Sequence, residues 1–457
     1  MKRVRPLELT APIEGHGPDA CGVSSGWMAL GLSRAECLGI SETSFHHGLT
    51  HAEEVNSWAE LPGPRTDAII VLSPGMAELF AQSAANLFAD APEHDSWVTV
   101  LLPWREPPTR SIRADGIAES FCCSAGVFAD LLKTVPAERI ERLCFALLDA
   151  ILNGRVEVQR FLVTQLPLDP SSAGPVALGQ SAALIMAHRG PKHFLTSALR
   201  SIVCSAGSSQ VAVRVGLDLE DASDYRDVAA AFPGVEFYVV DGAPVGPYVI
   251  RQNLIDRSRE HLIIFHDSDD FSCSDRFARQ ATEVRERQVD VVGSHELRVD
   301  ELAGSVEAYR FPLDASAALA LPGSTERNDR ANEPLLHPTL TMVRSGFVQA
   351  GGFSTDQKIA NDTQFMLRAY FSLRMRNVDR FLYIRRRHSA ALTVARETAL
   401  GTPLRHFLGT TWGADFEAVK SGKSRLEDTS LWPRLSPVPH HLTRLWPSGA
   451  ARLRRRA

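Results

Sequence analysis

The chain has 457 residues, of which 44% are hydrophobic and 23% are charged, and its formal net charge is -5. These values are typical of a folded globular protein of about three domains, which excludes a disordered chain. An acidic balance gives no general reason to expect nucleic-acid binding. No run of about 18 apolar residues and no signal-peptide core is present, so the sequence predicts a cytoplasmic protein with no membrane-spanning helix. The seven cysteines form no C-x-x-C pair, which argues against a zinc site or a disulfide framework.

Residues 1–170 predict an N-terminal α/β domain of unknown role. Apolar runs with β-branched residues predict strands, and apolar residues three or four apart predict helices. The pattern predicts strands at 67–72, 97–102 and 157–166, and helices at 76–89, 117–132 and 137–152. The first two strands and the helix between them form a β-α-β unit, for which we expect parallel pairing.

Residues 167–179 are rich in proline, serine and glycine, which predicts a linker. Strands and helices then alternate again, with strands predicted at 182–186, 210–217, 235–240 and 262–265. Such alternation with short connections predicts a parallel sheet with helices on both faces. The chain ends in a basic tail, Arg452–Arg456, which predicts a solvated, disordered end. Attraction of this tail to an anionic membrane surface is the alternative.

Three carboxylates follow a short apolar strand in the middle of this second region. The strand is Leu262–Phe265, and Asp267, Asp269 and Asp270 come directly after it. An open α/β sheet forms its ligand site at the carboxyl ends of its strands. Clustered carboxylates repel one another, and a hard divalent cation relieves that repulsion. The alternative is a solvated acidic turn that caps the next helix.

Two blocks of the sequence resemble the family 2 glycosyltransferases, the inverting group with the GT-A fold. The first block comprises Arg251, Gln252, a predicted helix at 253–259, the apolar strand, Asp267–Asp270, Arg276 and Gln280. The second comprises His337-Pro-Thr, Gly351-Gly-Phe353, Asn361-Asp362, Arg368, Tyr383, Arg385 and His388. The resemblance covers about residues 180–393. It implies a mixed, mostly parallel sheet with helices on both faces over residues 176–395, followed by a C-terminal extension at 396–457.

The resemblance also implies an activity, which is the transfer of a sugar from a nucleoside-diphosphate sugar to an acceptor hydroxyl with inversion. The cofactor would be Mn²⁺ or Mg²⁺, and the acceptor a saccharide or a glycolipid. By analogy, the protein would act in surface polysaccharide or glycolipid synthesis, in the cytoplasm or peripherally at the inner face of a membrane.

The resemblance assigns roles to individual residues. Donor-binding residues would be His188, Asp218, Arg251, Asp267 and Asp270. Asp269 would hold the metal with Asp267 and His388, His337 would lie on the acceptor side, and Asp362 would be the general base. The residues themselves leave structural alternatives open. Asp218 and Asp362 suit a helix N-terminus, and Arg251 suits a helix surface. His337 and His388 could each be structural histidines.

Two positions depart from the family pattern, namely Gln252 and Asn361. These departures favour one alternative, a sugar-nucleotide-binding module without turnover. A sugar nucleotidyltransferase is a second alternative, although residues 186–191 lack the glycine-rich signature of that class. A separate activity in the N-terminal domain is a third.

Overall fold

The computed structural model divides into two compact units. The first comprises Met1–Glu106, Gly116–Gly174 and Gly304–Val306, and the second comprises Pro107–Asp115, Pro175–Ala303 and Glu307–Ala457. The structure describes residues 5–7, 27–32, 67–73, 76–83, 87, 96–103, 113–117, 119–135, 143–166, 168, 178–205, 207–320, 334–399, 401–436 and 440–446. The predicted basic tail Arg452–Arg456, most of the predicted linker and residues 321–333 lie outside the described residues.

The described part of the first unit is a small α/β structure. Its elements are β1 (Arg5–Leu7), β2 (Trp27–Leu32), β3 (Ala68–Leu72), α1 (Met76–Ala81), β4 (Trp97–Pro103), β5 (Arg113–Ile117), β6 (Ser120–Ser124), α2 (Ala125–Thr134), α3 (Leu143–Leu152) and β7 (Arg160–Leu166). β5 falls across the division between the units. The sheet has the order β1-β2-β3-β6-β4-β7, and β4 and β7 are parallel.

Two local predictions in this unit were wrong. β3 and β4 are not paired with each other, because β6 lies between them and is antiparallel to both. The predicted helix at 117–132 contains β6 in its first half, and helix α2 begins only at Ala125. A short apolar run such as Phe121, Cys122 and Cys123 does not distinguish a buried strand from a buried helix by periodicity alone.

The second unit contains the larger sheet. Its strands are β8 (Ala182–His188), β9 (Val211–Leu217), β10 (Glu236–Val240), β11 (Leu262–Phe265), β12 (Phe271–Ser272), β13 (Val291–Asp300), β14 (Ser305–Tyr309), β15 (Thr341–Val343), β16 (Met375–Arg387) and β17 (Leu442–Trp446). Their order is β12-β16-β13-β15-β11-β8-β9-β10-β17, with β14 beside β13. β8, β9, β10, β11, β13 and β16 run in one direction, and β12, β15 and β17 run against them.

Helices cover both faces of this sheet. They are α4 (Lys192–Val203), α5 (Arg226–Ala231), α6 (Pro247–Asp256), α7 (Arg276–Arg287), α8 (Ala315–Leu319), α9 (Arg344–Gln349), α10 (Asn361–Ala369) and α11 (Pro403–Lys420). Side chains alternate along a strand, so Ala182 and Leu184 of β8 pack with α4 and α7 in one core. Ala183 and Ile185 face the other core, with α6, α10 and α11. The predicted fold class is therefore confirmed: a mixed, mostly parallel sheet with helices on both faces, preceded by a smaller α/β unit.

One predicted helix in this unit lies at a different place in the chain. We predicted a helix at residues 253–259, whereas α6 begins at Pro247 and ends at Asp256. Proline suits the first position of a helix because its missing N–H would be unpaired there. Among the described residues, no helix combines the length and the apolar character needed to cross a membrane.

Candidate active site

A cavity of about 540 Å³ lies at the edge of the larger sheet where β8, β11 and β16 end. The carboxyl ends of parallel strands meet at one edge, which is why residues far apart in the sequence converge there. All of the predicted site residues line this cavity: His188, Asp218, Arg251, Asp267, Asp269, Asp270, His337, Asp362 and His388. The structure therefore brings the two motif blocks together.

Asp267, Asp269 and Asp270 form a compact carboxylate cluster at the end of β11. One ligand oxygen from each lies within 4.8 Å of the others. Asp267 accepts a hydrogen bond from Arg251, and Asp269 accepts one from His388 at 2.9 Å. Each of these two side chains keeps a second oxygen and is about one-third exposed, at 34% and 29%.

The third carboxylate, Asp270, is buried and joins the cluster to β16. One of its oxygens accepts the backbone N–H of Arg386 at 2.8 Å. His388 contacts the cluster through Asp269 and is not one of the three residues whose ligand atoms group together. Its assignment as a direct metal ligand remains a prediction.

Electrostatics separate the three carboxylates. Burial, reinforced by the charges of Asp269 and Asp267, raises the pKa of Asp270 well above its usual value. Burial also raises the pKa of Asp267, although Arg251 opposes this effect. At Asp269 burial is outweighed, mainly by the hydrogen bond and charge of His388, and the pKa is lowered. Such a cluster gains from a cation that relieves the repulsion among its members.

Arg251 is the buried cation beside this cluster. Its side chain is 6% exposed and lies with its guanidinium carbon 5.6 Å from the centre of the Tyr248 ring. Its Nε is buried and has no hydrogen-bond partner among the described residues. A buried donor without a partner is costly.

His188 is held between two hydroxyl groups at the end of β8. Its Nδ1 lies 2.9 Å from the Ser268 hydroxyl, and its Nε2 lies 2.8 Å from the Tyr225 hydroxyl. Burial lowers the pKa of His188 to about 4. The imidazole is therefore neutral near pH 7, and its contacts position Ser268 inside the D-x-D segment.

Asp218 lies in the cavity wall, but its carboxylate is engaged by the backbone. Its two oxygens accept the N–H groups of Val245 and Gly246 at 2.7 and 3.0 Å, immediately before α6. This is the role of an acid at a helix N-terminus. Recognition of the donor by Asp218 remains a prediction.

Asp362 stands in the first turn of α10, on the side of the cavity lined by His337. It accepts the N–H of Thr363 at 2.8 Å and a hydrogen bond from the Tyr248 side chain. Burial alone would raise the pKa of Asp362, but His337 and these hydrogen bonds outweigh it and the pKa is lowered. Asp362 is therefore ionised near pH 7, as a proton acceptor must be.

His337 is a buried, neutral neighbour of that carboxylate. Burial, with a contribution from Arg251, lowers its pKa to about 3. Its ring centre lies 4.6 Å from that of Phe265, and its Nε2 has no hydrogen-bond partner among the described residues.

The two departures from the family pattern have structural explanations. Gln252 does not line the cavity; its Oε1 accepts the N–H of Phe353 at 2.8 Å and its Nε2 donates to Asp256. Asn361 is buried, and its Nδ2 donates to the carbonyls of Ser354 and Gln357. Both residues hold backbone near the cavity, and neither lines it.

The cavity residues that the sequence analysis missed include Tyr248, Lys358 and Arg405. Tyr248 donates to Asp362, and the charge of Arg405 acts on the same carboxylate. The proline before Tyr248 marks the start of α6, and this was the one signal that could have placed Tyr248 beside Arg251. No motif marked the two basic residues.

Comparisons with known proteins give only a distant likeness. No protein-family model matches the sequence, and no curated protein matches it. Among solved structures, S. aureus TarS 1-349 in complex with UDP-GlcNAc is similar at 17% identity and a TM-score of 0.39, over 54% of this chain and 74% of that one. The complex of the same protein with UDP gives 15% identity and a TM-score of 0.37, over 54% and 73%. A likeness at this level carries no conclusion about activity, which has to come from the cavity itself.

Proposed function

We propose that the chain is an inverting, metal-dependent glycosyltransferase that moves a sugar from a nucleoside-diphosphate sugar to an acceptor hydroxyl. The observation that carries the proposal is one cavity lined by a carboxylate cluster, by Arg251 and by Asp362. A synthetic role in surface polysaccharide or glycolipid assembly, in the cytoplasm or at the inner face of a membrane, belongs to the same proposal.

The cluster suits a hard divalent cation such as Mg²⁺ or Mn²⁺, because it offers carboxylate oxygens within 4.8 Å of one another. Asp269 and Asp267 would hold the ion with the oxygens that His388 and Arg251 leave free. When bound, such an ion neutralises charge that develops on a departing diphosphate.

The protein's own residues would supply the remaining chemistry. Arg251 and Arg385 both line the cavity, and the charge of each acts on Asp267, so their guanidinium groups suit phosphate oxygens. Asp362 would accept the proton of the acceptor hydroxyl while the hydroxyl oxygen bonds to the anomeric carbon of the donor sugar. The bond from that carbon to the diphosphate breaks on the opposite face, which inverts the configuration.

Release of nucleotide from a panel of nucleoside-diphosphate sugars, with Mn²⁺ or with EDTA, tests the proposal. We expect turnover of one donor with metal, a loss of at least 100-fold in Asp269→Asn, and a similar loss in Asp362→Asn with donor affinity retained. The exposed Asp356 gives a matched control, Asp356→Asn, which should behave as wild type. The proposal would be overturned if both variants turned over the donor as fast as wild type, or if the protein bound no sugar nucleotide.

The same assay separates the two alternatives. Metal-dependent donor binding without turnover, with every acceptor offered, would favour a binding module. Formation of a sugar nucleotide from a nucleoside triphosphate and a sugar phosphate would favour a nucleotidyltransferase.

A further inference from the structure

Helix α10, which carries Asp362, depends on outside contacts for its position. It spans only nine residues, Asn361–Ala369, and a helix this short is unstable on its own. It begins after Ala360, whose φ of 62° is unfavourable for a residue with a side chain. The position of Asp362 is therefore set by whatever holds α10 in place.

One contact is made by Arg368 near the end of α10. Its guanidinium is buried among backbone carbonyls. Its three nitrogens donate to the backbone carbonyls of Ala350, Gly352 and Leu431. Arg368 thus joins α10 to the Gly351–Gly352 turn on one side and to residue 431 on the other.

A second contact is made one turn earlier by Gln364. Its Nε2 donates to the carbonyl of Ser430 at 2.7 Å, and its Oε1 accepts from the Ser354 hydroxyl at 2.6 Å. Ser430 and Leu431 therefore present adjacent carbonyls to two side chains of α10. Small movements of residues 430–431 would be transmitted directly to the helix.

Asp415 of α11 holds Ser430, the residue that presents one of those carbonyls. One oxygen of Asp415 accepts both the backbone N–H of Ser430, at 2.7 Å, and the Ser430 hydroxyl. Trp412 and Phe416 on the same helix are buried with Phe365 of α10 in one core. Asp415 itself is only partly buried and does not line the cavity.

We propose that Asp415 is a positioning residue for Asp362, acting through Ser430 and through the Gln364 and Arg368 side chains. The inference rests on the proposed function, in which Asp362 is the general base. It extends the catalytic machinery to a helix outside residues 180–393, where the family resemblance was found. A small displacement of a catalytic group is enough to slow the chemical step.

Steady-state kinetics of Asp415→Ala with the donor identified above test this inference. We expect kcat for transfer to fall about tenfold while the donor KM and Kd stay within twofold, because Arg251 and Asp269 lie on other elements. Asp415→Asn should recover most of the rate, since its amide oxygen can still accept from Ser430. Glu417→Ala is the matched control on the same helix, because Glu417 is exposed and pairs only with Lys420 at 3.8 Å.

Hydrogen exchange gives a readout that does not depend on activity. In Asp415→Ala, amides of residues 361–369 should exchange faster, while those of β8 and β11 should not change. Unchanged exchange in α10 would overturn the positioning role, whether or not the protein turns over a donor. An active wild type with unchanged kcat in Asp415→Ala would also overturn it and leave the proposed function standing. Equal losses of donor affinity and kcat, with faster exchange throughout the second unit, would indicate general destabilisation and would overturn it as well.

Discussion

At the scale of single residues, the buried histidines of the cavity make stability depend on pH. Burial lowers the pKa of His188 to about 4 and that of His337 to about 3, from an ordinary value of 6.5. The unfolded chain therefore binds more protons than the folded protein at every pH between those values and 6.5. The free energy of unfolding then decreases as the pH falls below 6.5.

We expect each histidine to lower the free energy of unfolding by about 1 kcal/mol when the pH falls from 7 to 5.5. Denaturant titrations at the two pH values measure this loss. His337→Gln removes one titrating group, so its stability should fall less than that of wild type over the same interval. The exposed His441 provides the control, since His441→Gln should leave the difference between the two pH values unchanged. An equal pH dependence in wild type and His337→Gln would contradict the assignment.

The sequence was enough to predict which residues line the cavity, but it was not enough to predict what those residues contact. Strand ends and two motif blocks were enough to predict nine residues that line one cavity. The pattern could not show that backbone amides engage both oxygens of Asp218, because those amides belong to a loop 27 and 28 residues away. Nor could it show that Gln252 points away from the cavity toward Phe353.

At the scale of elements, helix α6 packs closely on strand β9 at Gly216. A Cβ placed on Gly216 would lie 2.2 Å from Ile250 Cγ2 and 3.4 Å from Leu254 Cδ1. Glycine thus allows α6 to approach the sheet closely, and α6 carries Arg251 and Tyr248 into the cavity. This close approach sets the distance between β9 and the donor side of the site.

Gly216→Ala should therefore destabilise the second unit by about 1–3 kcal/mol and weaken donor binding. Combining it with Ile250→Ala removes the clashing atom, so the double variant should lose less than the sum of the two single losses. Denaturant titration and donor binding measure both effects. Gly126→Ala is the contrast, because a Cβ there meets nothing within 4 Å and should not destabilise. Strict additivity of the two changes would show that this contact is not limiting.

Elements were predictable where apolar patterns were clean and were missed where buried polar residues interrupt them. β8, β9 and β11 lie within two residues of their predicted limits because their sequences are almost wholly apolar. β13 was missed although all ten of its residues are buried. Its His295 bonds to Asp379 and its Glu296 to Arg298, so its charges are neutralised by partners that a linear pattern does not reveal.

At the scale of the molecule, the second unit includes residues beyond the predicted catalytic domain at 176–395. Trp412, Phe416 and Leu431 are 2%, 0% and 0% exposed in the core that contains Phe365. Burial of three such side chains contributes roughly 6 kcal/mol, which is comparable with the whole stability of a typical domain. The domain limits themselves remain predictions.

We therefore expect a fragment of residues 175–457 to fold and a fragment of residues 175–395 not to fold. Both fragments begin at residue 175, so the comparison isolates the contribution of the residues after 395. Thermal melting followed by circular dichroism is the measurement. Cooperative melting of both fragments at the same temperature would show that α11 and β17 are dispensable.

Strand β17 also determines what the outer edge of the larger sheet can bind. It pairs antiparallel with β10, and Thr443 bonds to Asp241 across 202 residues of chain. An uncovered β10 would offer its free N–H and C=O groups to any matching strand. The best match available is the same segment of a second copy, since it would restore every native bond. If residues 440–446 were displaced from β10, the chains would then form dimers by strand exchange rather than a smaller folded monomer.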